Sequence, residues 1–431
     1  MNAGAGRDDV KIILWHGYLL GGTGSNVYTR ALAREWMRAG HDVTVLSQEP
    51  SPERFALGGA RAVRPDVGGY LPVFVHDRYE GYEVETVRDA DRARLERWVE
   101  ANTSAIRDYL PAELVFTNHV LLGGPVGAAA GAPFVVKAHG SELEYAMRGR
   151  ADLSAWGAES LAQAEATFVG SAHIRAVVAD VCGHTERVHE VPPGVDLDLW
   201  RPETREEALE ALVEEARADP PNSGNRDERL PDAGNAERIA AFLTPARPVI
   251  VYFGKLIEQK GVHVLIDALR EVDAGLVVVG FGPERAVLET LAAERGVDAL
   301  FTGPLEHRHL RHLLALADAC VVPSVFPEAF GMVAAEAAAA GCPPVVARHS
   351  GLAEIAVGLE SDLPPRLGRL VSSPTGDVEA LRERLETLVA LPADDRDALR
   401  AGVRRAVETR WGWASVAERL LALSVDGHAA D

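Results

Sequence analysis

The chain has 431 residues, 47% hydrophobic and 25% charged, with a formal net charge of −20. That length exceeds what one hydrophobic core usually serves, so two domains of about 200 residues are expected. The acidic balance speaks against nucleic acid or an anionic membrane as partner, and no apolar run reaches the ~20 residues of a transmembrane segment. The opening MNAGAGRDD has no apolar signal-peptide stretch. The three cysteines, Cys182, Cys320 and Cys342, are odd in number and lack metal-ligand spacing, so a cytoplasmic chain is expected. Peripheral membrane contact through a small patch stays open.

Residues 10–15 and 41–47 read as the first two strands. Between them lie Gly21-Gly22-Thr23-Gly24-Ser25 and a helix with Val27, Leu32, Trp36 and Met37 on its apolar face, ended by Gly40. This is a βαβ unit whose glycines serve either a plain turn or a phosphate or sugar at the helix start. The spacing fits neither the dinucleotide fingerprint nor the P-loop. Residues 50–90 are irregular, rich in Gly, Pro, Arg and Tyr, and suit a loop region with short strands. Residues 91–109 form an amphipathic helix. Asp89-Ala90-Asp91 there reads as a solvated helix start, because no buried strand precedes it.

Residues 113–117 and 133–138 are buried strands that end at Asn118-His119 and His139-Gly140-Ser141-Glu142. Open α/β sheets bind ligands outside the carboxyl ends of their strands, which makes both histidines candidates. A strand at 164–170 follows, and Pro193-Gly194-Val195-Asp196 marks the hinge. Residues 203–245 combine an acidic helix with the polar, turn-rich run PPNSGNRDERLPDAGN, and are expected to be an exposed, mobile insertion.

The second domain opens with a strand at 248–254, then Lys255, Lys260 and Gly261 before a helix at 262–269. Lysine is rare: four of the 44 basic residues, against forty arginines, so two in one short loop point to a phosphate clamp. A strand at 275–279 leads to Gly280-Phe281-Gly282-Pro283, a turn placed to pass under a nucleoside, and residues 300–305 offer backbone groups to a base. Of His307, His309 and His312, only the last two have helical spacing, and no metal site is expected.

Residues 319–347 read as strand, loop, Ala-rich helix and strand, with Glu328 in the loop and Glu336 inside the helix. Glu336 points back toward the helix start, where the N–H groups of Phe330, Gly331, Met332 and Val333 favour an anion. A phosphate on the backbone, a diol on Glu336 and a hydroxyl on Glu328 together describe a nucleotide sugar. Amphipathic helices at 378–389 and 398–409 and an apolar face of Trp411, Trp413, Val416, Leu420 and Leu421 close the chain. The alternation of strands and helices predicts an α/β fold of two doubly wound Rossmann-like domains, 1–193 and 194–409, facing an interdomain cleft.

The run P-S-x-x-P-E-x-F-G…E-A-x-A-x-G-x-P-V-V-A resembles the E-x7-E signature of retaining glycosyltransferases of family 4. The resemblance spans most of the chain outside 203–245. It implies a GT-B fold and a retaining transfer from a nucleoside-diphosphate sugar, UDP or GDP type, with no tightly bound cofactor or metal. The acceptor would be a small molecule, glycan or lipid. It further implies that Glu336 holds the ribose diol, that Lys260 and Lys255 clamp the diphosphate, and that Gly21, Gly22 and Gly280 approach the donor. Lys255 stands where arginine is usual, and Ser350 where the family's Gly-Gly…Glu turn has glycine. The K-A-H-G-S-E run implies that His139 works at the reacting centre beside Glu328, with His119 on the acceptor side. The last helix, 410–425, is expected to cross back to the first domain. Rival expectations are a sugar-nucleotide epimerase of the same fold and a non-catalytic nucleotide-sugar-binding subunit. The first would need no acceptor, and the second tends to lose residues such as His139 and Glu328.

Overall fold

The β-branched runs of the sequence become short buried strands, each continued by a polar or glycine-rich loop. The structure is a computed structural model and describes residues 9–21, 24–75, 79–245 and 247–425. It divides into two units, the first running to Gly194 and resuming at Trp413, the second Val195–Gly412.

The first unit holds β1 (Lys11–Trp15), β2 (Asp42–Leu46), β3 (Arg61–Val63), β4 (Tyr70–Val73), β5 (Glu83–Thr86), β6 (Leu114–Asn118), β7 (Phe134–Lys137), β8 (Ala166–Val169) and β9 (Val188–Glu190). Seven of them form one parallel sheet in the order β3-β2-β1-β6-β7-β8-β9, while β4 and β5 pair separately. Ile12 sits in register with Val43 on one side and Leu114 on the other. Helices cover both faces, so strand residues such as Ile12, Leu14, Phe116 and Phe168 are fully buried, each contributing about 1.5–3 kcal/mol. The final helix, Trp413–Val425, lies on the first one, Gly24–Arg38: Trp36 donates its indole N–H to the Ala417 carbonyl at 3.0 Å, and Trp413 meets Tyr28 edge-on at 5.2 Å. Gly194 has to be glycine because a Cβ there would fall 2.5 Å from the Trp413 ring.

The second unit holds β10 (Val249–Phe253), β11 (Gly275–Val279), β12 (Ala299–Phe301), β13 (Ala319–Val322), β14 (Pro344–Ala347) and β15 (Ser372–Ser373), parallel in the order β12-β11-β10-β13-β14-β15. Helix Met332–Ala339 runs between β13 and β14, and Gly341 behind it takes φ +75°, the left-handed stop that its sequence called for. Among the described residues no helix is long and apolar enough to cross a membrane.

The exposure expected throughout 203–245 holds for its middle, residues 223–229, but not for the helices on either side. Helix Arg205–Arg217 buries Ala208, Leu212, Val213 and Ala216, and helix Asn235–Leu243 buries Ala236, Ile239 and Leu243, all within the core of the second unit. Some polar residues of the stretch between them find partners within it. The Asn222 side-chain amide, for example, donates to the carbonyls of Asp227 (2.9 Å) and Pro231 (3.0 Å). Composition registers the polarity of such residues but not that each has a partner.

Candidate active site

In both sheets the strand order reverses direction once, between β1 and β6 and between β10 and β13. The carboxyl ends at such a switch point are where doubly wound sheets bind ligands. The sequence-predicted residues gather at these two places.

In the second unit, β10 is followed by Gly254, Lys255 is exposed on the loop beyond it, and Lys260 closes the 3₁₀ turn Glu258–Lys260. Gly261 (φ +67°) then starts helix Val262–Leu269, and a Cβ on it would strike the Pro323 carbonyl after β13. That close approach carries Lys260 to the loop after β13, where its ammonium lies 2.5 Å from Glu328 Oε1. Glu328 also accepts from the Ser324 hydroxyl at 2.9 Å. Its own N–H donates to Ser350 Oγ at 2.9 Å. His349 Nε2 is 2.7 Å from the Ser324 carbonyl, which only accepts, so Nε2 carries the proton and Nδ1 accepts from the Ser350 hydroxyl at 2.9 Å. Ser324, Glu328, Ser350 and His349 thus close a ring of hydrogen bonds around the Glu328 loop.

Glu336, by contrast, is 7% exposed and holds no side-chain hydrogen bond or ion pair among the described residues. Burial pushes its carboxyl up to about 8. Phe330 turns its ring into the core against Trp411 (5.8 Å), leaving only its backbone to a ligand. Met332 and Val333 are half-buried in the first helical turn, whose N–H groups lack intrahelical acceptors. Gly331 takes φ +118°, and a Cβ would also meet Leu352 at 2.6 Å. Gly280 has a packing reason of its own: a Cβ would overlap the Gly254 carbonyl at 1.8 Å.

In the first unit, the ends of β1, β6 and β7 bring together His16, His119 and His139. His139 is half-buried and its Nε2 lies 2.7 Å from Asn118 Oδ1, so it donates there. His119, at φ +70°, stands 4.7 Å from the His139 ring and stacks on His16 at 6.1 Å. His16 bonds Asn26 at 2.7 Å, and the Asn26 amide reaches the Gly21 carbonyl. Gly22 lies outside the described residues. Burial, then the neighbouring His119, lowers His16 to about 3, and the same causes with Lys137 and His16 hold His139 well below the usual range. Both imidazoles are neutral. Lys137, buried and donating to the Val191 carbonyl at 2.9 Å, is lowered by desolvation to about 7.

Glu142 organises this cluster and the sequence reading gave it no role. Fully buried, it accepts N–H bonds from His139 (2.9 Å) and Val120 (3.3 Å) and pairs with His119 Nδ1 at 3.2 Å. His16 was also missed, although it follows β1 just as His119 follows β6. Three buried polar atoms here, His16 Nδ1, His119 Nε2 and the Tyr28 hydroxyl, have no partner among the described residues. Elsewhere, His309 Nε2 lies 3.0 Å from Asp219 and His312 Nδ1 2.5 Å from Glu203, so both serve carboxylates of the 203–219 segment.

Comparison with known proteins identifies the family and the fold. The family model described as Glycosyltransferase Family 4 matches residues 22–199, and that described as Glycosyl transferases group 1 matches 236–405. A GDP-mannose-dependent monoacylated alpha-(1-6)-phosphatidylinositol monomannoside mannosyltransferase of Corynebacterium glutamicum is 28% identical over 70% of this chain and 72% of its own. Sucrose-phosphate synthase from Thermosynechococcus elongatus superposes with a TM-score of 0.68 at 21% identity, over 98% of this chain and 100% of that one. Anabaena HepE in complex with UDP and glucose gives 0.67 at 16% identity, over 98% and 100%. This chain belongs to glycosyltransferase family 4 and is a glycosyltransferase of the GT-B fold.

Proposed function

We propose that the enzyme moves a sugar from a nucleoside-diphosphate sugar, of UDP or GDP type, to a small-molecule, glycan or lipid acceptor with retention at the anomeric carbon, in the cytoplasm. The observation that carries this reading is Glu336, a buried carboxylate without a side-chain partner among the described residues, one helix turn from first-turn N–H groups and on the same segment as Glu328, which pairs with Lys260. A diol supplies the two donors that such a carboxylate lacks. The Corynebacterium relative is named for GDP-mannose and HepE was solved with UDP and glucose, which supports either base.

In this reading the bond from the anomeric carbon to the diphosphate oxygen breaks and its electron pair stays on the leaving diphosphate. Lys260, Lys255 and the N–H groups of Gly331, Met332 and Val333 meet the developing charge, so no tightly bound metal is called for. Glu328 accepts from a sugar hydroxyl. Neutral His139 serves the sugar at the reacting centre, and His119 the acceptor. The acceptor hydroxyl forms the new bond on the same face and passes its proton to the departing diphosphate. Retention itself rests on the family pattern around Glu328 and Glu336.

Thermal unfolding with UDP, GDP, ADP and TDP tests donor binding. A nucleotide at a hundred times its Kd should stabilise by about 2.7 kcal/mol, and the shift should vanish in Glu336→Ala. NMR of the first-formed product tests retention. An inverted anomer, or activity abolished by chelator and restored by a divalent cation, would overturn the corresponding part.

A further inference from the structure

Residues 200–235 fall between the two family-matched spans, yet their last part is built into the carboxyl ends of two strands. Asp232, 5% exposed, accepts a bidentate fork from Arg285 (2.8 and 2.5 Å) and a third bond from Arg238 at 3.3 Å. Its N–H donates to the Thr302 carbonyl at 2.9 Å, which also accepts from the Asn235 side chain at 2.8 Å. Arg238 holds the Phe301 carbonyl at 2.6 Å. Gly303 follows at φ +69°, and a Cβ on it would come 2.8 Å from Asp232 Oδ1. Its carbonyl accepts the Gly280 N–H at 2.9 Å. Arg285 begins the helix Arg285–Arg295 just past the turn that Gly280 opens. Asp232 therefore ties together the loop after β11 and the loop after β12, both at the rim of the second unit's switch point.

The distance along the sheet says what that rim would touch. Lys255 and Lys260 follow β10, and β12 is two strands away, a separation of about 10 Å at ordinary strand spacing. That is the reach of a ribose and base beyond a diphosphate held on the lysines. Buried ion pairs add little net stability but fix one geometry, and this one fixes the backbone from Phe301 to Gly303.

We infer that Asp232 is a positioning residue that sets the base-reading loop at residues 302–305 and so determines which nucleobase the donor carries. The inference rests on the nucleotide-sugar reading above. Its function is distinct from general support of the fold because it should act on the base and not on the diphosphate.

The test is calorimetry on the full chain with UDP, GDP, ADP, TDP and inorganic diphosphate, comparing wild type with Asp232→Asn. The expected result is a roughly tenfold loss of affinity for the preferred nucleotide and a narrowing of the spread among the four. Inorganic diphosphate should change less than about twofold, since no contact to it is altered. A parallel loss for inorganic diphosphate would mean general distortion and overturn the inference, as would unchanged selectivity. Wild type that binds inorganic diphosphate but no nucleotide would remove the nucleotide-sugar reading itself, and the inference with it. Where Asp232→Asn fails to fold, Asn235→Ser removes one donor to the Thr302 carbonyl and one acceptor of Arg238, and leaves the Arg285–Asp232 fork. It should narrow the same spread by a smaller factor, and selectivity equal to wild type would overturn the inference.

Discussion

Lys260 and Glu328 hold each other: the ammonium and one carboxylate oxygen are 2.5 Å apart, with the side chains 33% and 22% exposed. One is assigned to the donor's diphosphate and the other to its sugar, so the donor has to replace a contact that each makes with the other. A partly exposed pair of this kind is worth about 1 kcal/mol or less. Glu328→Gln should therefore tighten binding of the product nucleoside diphosphate by about two- to fivefold, while sugar transfer slows by about a hundredfold. Calorimetric Kd and kcat check the two halves. Product binding that is unchanged or weaker would mean that Lys260 is not the diphosphate contact. Lys260→Ala should lower kcat/KM by about 10²–10³-fold.

Glu336 gives the site a proton signature. Burial raises its pKa from 4.5 to about 8, so between those values the folded chain binds a proton that the unfolded chain does not. Stability accordingly falls as pH rises through that window. Diol hydroxyls donate to the carboxylate and favour its charged form. Nucleotide binding at pH 7 should then release up to about one proton per site, seen as a dependence of the calorimetric heat on buffer ionisation enthalpy. Glu336→Gln should abolish that dependence, weaken nucleotide binding, and stabilise the unliganded protein above neutral pH by about 1–3 kcal/mol. Heats that do not vary with buffer would argue against the diol assignment.

Ser350 occupies φ +45°, the region that glycine enters freely and other residues enter at a cost of about 1–2 kcal/mol. What it gains is the hydroxyl between the Glu328 N–H and His349. Ser350→Gly loses that link but relaxes the backbone, whereas Ser350→Ala loses the link and keeps the strain. The glycine variant should be the more stable of the two by about 1 kcal/mol, and both should raise the donor KM. If KM stays at the wild-type value, the Glu328 loop is held by other contacts.

How much of this was legible beforehand depended on whether a residue's partner was near it in the chain or implied by a pattern. The strands at 275–279 and 319–322 announced themselves through apolar runs bounded by glycine, proline or charge, and the Glu328–Glu336 spacing lies on a single loop and helix. His119 and His139 were found because strand ends can be located. Glu142 and His16 were not, because Glu142 reaches back 22 residues to the Val120 N–H and the His16–His119 stacking appears only once β1 and β6 are neighbours. The segment before β10 was misjudged for a related reason. Asp232 and Asn222 look like solvated loop residues until the carbonyls and guanidinium groups they meet are in place.

Glu142 offers the sharpest separation between unit one and the residues of unit two that are proposed to bind the donor. Burial opposes its ionisation, but His119 and the His139 N–H outweigh that and hold its pKa below the ordinary 4.5. The stabilisation it gives is therefore present at neutral pH and lost as pH falls below that range. Glu142→Gln keeps the shape and the oxygen that accepts both N–H groups, but it removes the charge and sets an amide donor against His119 Nδ1, forcing the imidazole into the tautomer that accepts there, at about 1–3 kcal/mol. Removing the side chain altogether leaves the Val120 and His139 N–H groups and His119 without their acceptor, and Glu142→Ala should cost about 3–5 kcal/mol. Because Glu142 touches both histidine-bearing loops and none of the residues assigned to the donor's nucleotide, Glu142→Gln should lower kcat by about 10- to 100-fold with little change in donor KM. Paired thermal melts and steady-state kinetics measure both effects. A variant whose donor KM rises while kcat holds would show that the histidine cluster serves donor binding and not the transfer step.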